Sequence, residues 1–163
     1  MYRIFILLFA SILFAFSCKN SNATGGADAK TAPVTNPASP APTLPSIPAE
    51  TVQKLWDECD YIDFVYFELP ISSSMQDKAA IQHALRHIAA QPAPLLPNCK
   101  PIGRIFYQIE GANFLEADIH YGQGCNYLVF YQNGKKIYSN YMTQDGITYI
   151  TGQIEYAKKM TGG

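Results

Sequence analysis

The chain predicts an α+β fold: an N-terminal helical region, an antiparallel β-meander of about four strands, and a C-terminal helix. Three observations carry this. Apolar residues recur at helical spacing in two blocks between Val52 and Ile88, they alternate from Gly103 to Met142, and helical spacing returns after Asp145.

Val52, Leu55, Trp56 and Cys59 define the first helix, about Ala49 to Asp60, with Glu50 in the first turn where the helix dipole favours an acid. Tyr61 to Leu69 is dense in aromatic and β-branched residues and closes at Pro70, so it reads as a strand. Ser73 stands three residues before Gln76, and Ser74 three before Asp77, so either serine can open a capping box. A second helix is therefore expected from Ser74 to Ala90, with Ile81, Ala84, Leu85 and Ile88 inward; Pro92, Pro94 and Pro97 end it.

The meander follows as Arg104 to Glu110, Phe114 to Tyr121, Cys125 to Gln132 and Lys135 to Met142. A three-residue turn at Gly111-Ala112-Asn113 would place Ile109 opposite Leu115 and Ile105 opposite Ile119, whereas a two-residue turn would pair apolar with charged. That register also sets Arg104 opposite His120. Gly122-Gln123-Gly124 makes the second reversal, and Asn133-Gly134 is the strongest hairpin signal in the chain. Asn126 to Tyr131 is almost continuously apolar, so this strand should be central and covered on both faces. Ile147, Ile150, Ile154 and Ala157 form the stripe of a terminal helix, the natural cover for the second face, with Lys158 and Lys159 in its last turn.

Upstream of the domain lies a different kind of sequence. Arg3 precedes an unbroken apolar run of about 14 residues, Ile4 to Ser17, too short for the roughly 20 of a spanning helix and suited to an export signal. Ala15, Phe16, Ser17 and Cys18 resemble the lipobox of bacterial lipoproteins. The resemblance covers residues 1–18 and implies cleavage before Cys18, lipidation of its thiol, and attachment to a membrane of the cell envelope. Phe16 and Ala15 depart from the residues that family prefers. Lys19 stands where an aspartate would resemble an inner-membrane retention signal, which points to the outer membrane.

Residues 1–17 are thus expected to be a signal peptide, residues 18–48 a lipidated cysteine with a disordered Pro/Ala/Ser/Thr-rich tether, and residues 49–163 one small domain. The tether has no apolar periodicity and cannot bury a core. Extended at about 3 Å per residue, it would hold the domain several nanometres from the bilayer. After Pro48 there are nine Lys and Arg against twelve Asp and Glu, and no basic stripe, which argues against a nucleic-acid partner.

Several residue groups could carry chemistry. With Cys18 lipidated, Cys59, Cys99 and Cys125 remain, enough for one bridge and one free thiol. The expected register brings Cys99 and Cys125 to one end of the sheet, so they are the disulfide candidate, closing a loop of about 25 residues worth roughly 3 kcal/mol; Cys59 is then a buried thiol. Otherwise Cys125 with His120 could form a thiol–imidazole pair. Glu116 and Asp118 share one face of a strand and could in principle serve a hydrolase, although solvated edge carboxylates explain them better. His83 and His87 have the spacing of a shared metal, but both should point away from the core and His120 should lie elsewhere. Tyr127, Tyr131 and Tyr138 belong to a tyrosine-rich sheet that a glycan or peptide binder could use. Gly124-Cys125-Asn126, with Gly134 and Met142-Thr143, is locally similar to META-type envelope domains; two helices before the sheet and no second cysteine after Met142 depart from that pattern. The resulting expectation is a non-catalytic lipoprotein module without a cofactor, binding an envelope protein or glycan, with a small envelope hydrolase and metal capture as alternatives.

Overall fold

The computed structural model describes residues 41–162. The expected signal peptide, Cys18 and most of the expected tether lie outside the described residues. The described part is α+β, with three helices and one seven-stranded antiparallel sheet. In chain order the elements are α1 (Ala49–Glu58), β1 (Tyr61–Tyr66), β2 (Ser72–Met75), α2 (Lys78–Leu85), β3 (Ile88–Pro92), β4 (Pro101–Ile109), β5 (Ala112–His120), β6 (Tyr127–Gln132), β7 (Lys135–Met142) and α3 (Gln144–Met160). Across the sheet the order is β2-β1-β4-β5-β6-β7-β3, so the expected meander is its contiguous middle and three further strands extend it.

The extra strands explain why four was an undercount. Tyr61 to Tyr66 is a strand, as its aromatic content predicted, and β2 pairs back onto it with Met75 opposite Ile62. The serines expected to cap a helix are in β2 instead: Ser73 shares a hydrogen bond with the Tyr149 hydroxyl, and Ser74 donates to Asp63. Asp77 takes the cap, accepting from the amide of Ala80 at 3.0 Å. Helix α2 then stops at Leu85, five residues short of the expected end. The carbonyls of Arg86 and His87 receive hydrogen bonds from the hydroxyl and amide of Thr143, a distant residue, rather than from a following helical turn. Beyond that point Ile88–Pro92 joins β7 as an edge strand.

The β4–β5 turn also differs from expectation. It is the two-residue Glu110-Gly111, both with positive φ as a type I′ turn requires. Alone it would set apolar against charged, but a bulge between Tyr107 and Gln108 restores the parity, pairing Tyr107 with Leu115 and Ile105 with Ala117. Every apolar side chain keeps its predicted face, while Arg104 moves from opposite His120 to opposite Asp118. At Asn133-Gly134 the expected hairpin is present, joining Gln132 to Lys135.

All three helices contribute to one core on one face of the sheet. Leu55 from α1, Ile81, Ala84 and Leu85 from α2, and Ile150 from α3 meet Phe64, Tyr107, Leu115, Ile119, Leu128 and Phe130. Burying each such Leu, Ile or Phe side chain contributes roughly 1.5–3 kcal/mol before conformational entropy is counted. Tyr127, Leu128, Val129 and Phe130 are consecutive and all buried, so β6 is interior and covered on both faces as expected. The cover on its second face is not α3. It is a smaller cluster in which Ala93, Leu95 and Cys99, between β3 and β4, pack with Leu44 against Tyr127 and Val129.

Leu44 shows that folded structure begins before Ala49. The amide of Leu95 donates to Pro42, that of Ser139 to Pro45, and that of Ile47 to the Asn140 side chain; Ile47 itself is buried. Residues 41–48, expected as tether, are therefore bound to the sheet. Proline-rich sequence lacks the periodicity that would have announced this, because its extended backbone bonds to distant partners rather than to itself.

Candidate functional site: the strapped face of the sheet

The face of the sheet away from the helices carries rows of side chains set by strand register. One row runs Arg104, Asp118, Val129, Ser139 across β4 to β7; its neighbours are Phe106, Glu116, Tyr131, Lys136 and Pro101, His120, Tyr127, Tyr141.

Arg104 and the two carboxylates form one network. The Arg104 Nε donates to Asp118 Oδ1 at 2.8 Å and Nη1 donates to Glu116 Oε2 at 2.9 Å. Tyr131 donates its phenol to Asp118 Oδ2 at 2.7 Å, and its ring lies under the guanidinium at 4.8 Å. The Asp118 hydrogen bond, with its charge, raises the Arg104 pKa further, while burial and then the bond to Asp118 push the Tyr131 phenol up. Asp118 is nearly enclosed, with 7% of its side chain exposed, and sits on the central strand, so the expected solvated-edge reading does not hold for it. Both of its oxygens are engaged. Glu116 is tied to the same guanidinium, an arrangement that positions the two carboxylates as its counter-ions.

Cys99 and Cys125 are joined in a disulfide with Cα atoms 5.7 Å apart, as expected, although the register argument behind it was two residues off. The bridge pins the segment from Ala93 to Cys99 as a strap across β5, β6 and β7. With Cys125 bonded, the thiol–imidazole pair with His120 has no thiol. His120 instead bonds through Nδ1 to the Cys99 carbonyl at 3.0 Å and stacks on Tyr127, with ring centroids 4.5 Å apart and planes within 11°. A carbonyl only accepts, so Nδ1 carries the proton and Nε2 a lone pair. Burial lowers the His120 pKa, keeping the ring neutral near pH 7.

Beside the strap is a recess of about 670 Å³. Pro42, Leu95 and Leu96 wall it, Tyr127 and Val129 floor it, and His120 and Lys136 bring its polar groups. The volume lies inside the roughly 300–1,000 Å³ of small-molecule pockets. A second recess of about 430 Å³ lies beside α1, between Trp56 and Ile88 to Ala90.

The other sequence candidates separate. Tyr127 and Tyr131 share the strapped face, but Tyr138 packs with the helix-side core, so the three do not form one platform. Tyr127 is buried. Cys59 is a buried free thiol whose Sγ lies 3.4 Å from the Tyr61 carbonyl, and burial pushes its pKa up. His83 is exposed as expected, whereas His87 is buried, contrary to the helical-wheel reading, because α2 has ended before it and α3 packs on it. The two rings meet edge to face with centroids 5.3 Å apart. Among the described residues no group of three or more His, Cys, Asp or Glu is placed to hold a metal ion. Arg104 and Lys136 were not singled out from sequence. Their signal was available only as cations on strand positions whose neighbours face outward.

Compared with protein-family models, curated proteins and solved structures, the chain matches none.

Proposed function

We propose that this is a lipid-anchored cell-envelope protein, attached through Cys18 to a membrane, the outer membrane in preference to the inner, whose folded part is a non-catalytic binding module. The anchor rests on the lipobox-like end of the apolar leader. The binding role rests on one observation: a disulfide-pinned strap stands over the inner strands and leaves a recess of small-molecule size lined by apolar and aromatic groups. Pinning the strap in advance lowers the ordering cost that a ligand would otherwise meet. Glu116 and Asp118, the hydrolase candidates, are engaged with Arg104. The occupant is an envelope component, a glycan, lipid or protein segment.

Two measurements test the two halves. Labelled palmitate should enter the protein and be lost in Cys18→Ala, and the mature chain should begin at Cys18; an unlabelled mature chain rejects the anchor. Envelope material separated into glycan, lipid and protein fractions should include one that slows amide exchange at Leu95 and Cys99 in the full chain. Unchanged exchange with every fraction rejects the binding role.

A further inference from the structure

We infer that the recess beside the strap takes an amphiphilic anion, with an apolar tail along Pro42, Leu95 and Leu96 and an anionic head at Lys136. The inference rests on the binding role proposed above and deepens it. Charge complementarity carries it. Lys136 lies at the recess and has no ion-pair partner among the described residues. Asp118, two residues before His120 on the same face, has both oxygens taken by Arg104 and Tyr131, and no carboxylate lines the recess. A ligand therefore meets a solvent-exposed cation, with no carboxylate lining the recess, beside a largely apolar cleft. A cationic head would face Lys136 unfavourably, and a neutral one would gain nothing from its charge.

His120 adds a second polar point. Its Nδ1 is committed to Cys99, while Nε2 has no protein hydrogen bond and is not an enclosed, unpartnered atom. Being a lone-pair site on a neutral ring, it accepts from a hydroxyl donor and offers an anion nothing, which leaves Lys136 to hold the head. The shared ligand chemistry is an alkyl chain ending in a carboxylate or phosphate.

The test uses the full chain in phosphatidylcholine nanodiscs, with empty discs subtracted, titrated with octanoate, octanol and octyltrimethylammonium while the Val129 methyl resonances are followed. Octanoate should bind saturably, shift those methyls, and bind roughly fivefold to tenfold more tightly than octanol, a difference of about one decade at most for one partly solvated charge. Lys136→Gln should remove the difference, and Lys136→Glu should transfer the preference to octyltrimethylammonium; an exposed side chain makes both compatible with folding. If octanol binds as tightly as octanoate, or Lys136→Gln keeps the preference, the anion inference is overturned while the binding recess stands. Should none of the three probes move the Val129 methyls, the recess itself is not a site for apolar chains, and both this inference and the assignment of the recess fall.

Discussion

Acid should destabilise this protein through one imidazole in particular. His87 is 5% exposed, its Nε2 has no hydrogen-bond partner, and α3 covers it so closely that a Cβ on Gly146 would sit 2.8 Å from its own Cβ. Tyr149 of α3 lies against the ring at 5.1 Å. Burial, and then the neighbouring His83, pull its pKa from 6.5 down to about 4; Asp145, on α3, opposes them weakly. Below pH 6.5 the unfolded chain takes up a proton that the folded chain refuses, so stability falls as pH drops through the window from 6.5 to 4 and is intact above it. One pKa unit is worth about 1.4 kcal/mol, so moving from pH 7.5 to pH 4.5 removes about 2.5 kcal/mol through this residue. The assay is urea unfolding at half-unit pH steps for the native protein and His87→Leu, which removes the titration and the unpartnered nitrogen together. The difference between the two curves should grow by that amount toward pH 4.5, with His120 and the carboxylates common to both. Parallel curves, or a folded-state His87 resonance titrating near 6.5, would refute the reasoning.

Further outcomes follow from the same structure. Gly146→Ala places a methyl against the Cβ and backbone of His87, and urea unfolding should show a loss of about 1–3 kcal/mol, whereas Gly152→Ala, which meets open space within α3, should gain several tenths. Asp118→Ala leaves Arg104 and Tyr131 without their shared acceptor and should cost roughly 2–3 kcal/mol by the same measurement, discounted because Arg104 is partly solvated; a neutral result would show that the network contributes nothing net. Replacing Cys99 and Cys125 together by serine opens a 26-residue separation and should lower stability by about 3 kcal/mol, with faster amide exchange in the strap at Leu95. Under non-reducing denaturing conditions a Cys18→Ala chain should titrate as one thiol, Cys59; three thiols would contradict the bridge.

Alternation and turn residues, which are local properties, made the central meander legible. Asn133-Gly134 needs positive φ at two successive positions, and few residue pairs supply it, so that hairpin is written in the chain itself. The stripe Ile147, Ile150, Ala157 likewise announces α3. The disulfide was accessible because Cys99 and Cys125 both flank strands of the expected meander. By contrast, Ile88 continues the apolar spacing of α2, yet it belongs to an edge strand. The bonds that decide this come from Thr143, more than fifty residues away.

The same division governs the site. Residue identity alone determined that this chain alternates into an antiparallel sheet and forms an amphipathic helix after it. Only the tertiary structure decided that a bulge between Tyr107 and Gln108 would turn Arg104 toward Asp118, that Leu44 and Ile47 would bind the sheet instead of trailing from it, and that the strap rather than α3 would cover β6. Face and period are fixed by each residue's immediate neighbours, whereas register, edges and cover depend on which distant backbone groups find partners first satisfied elsewhere.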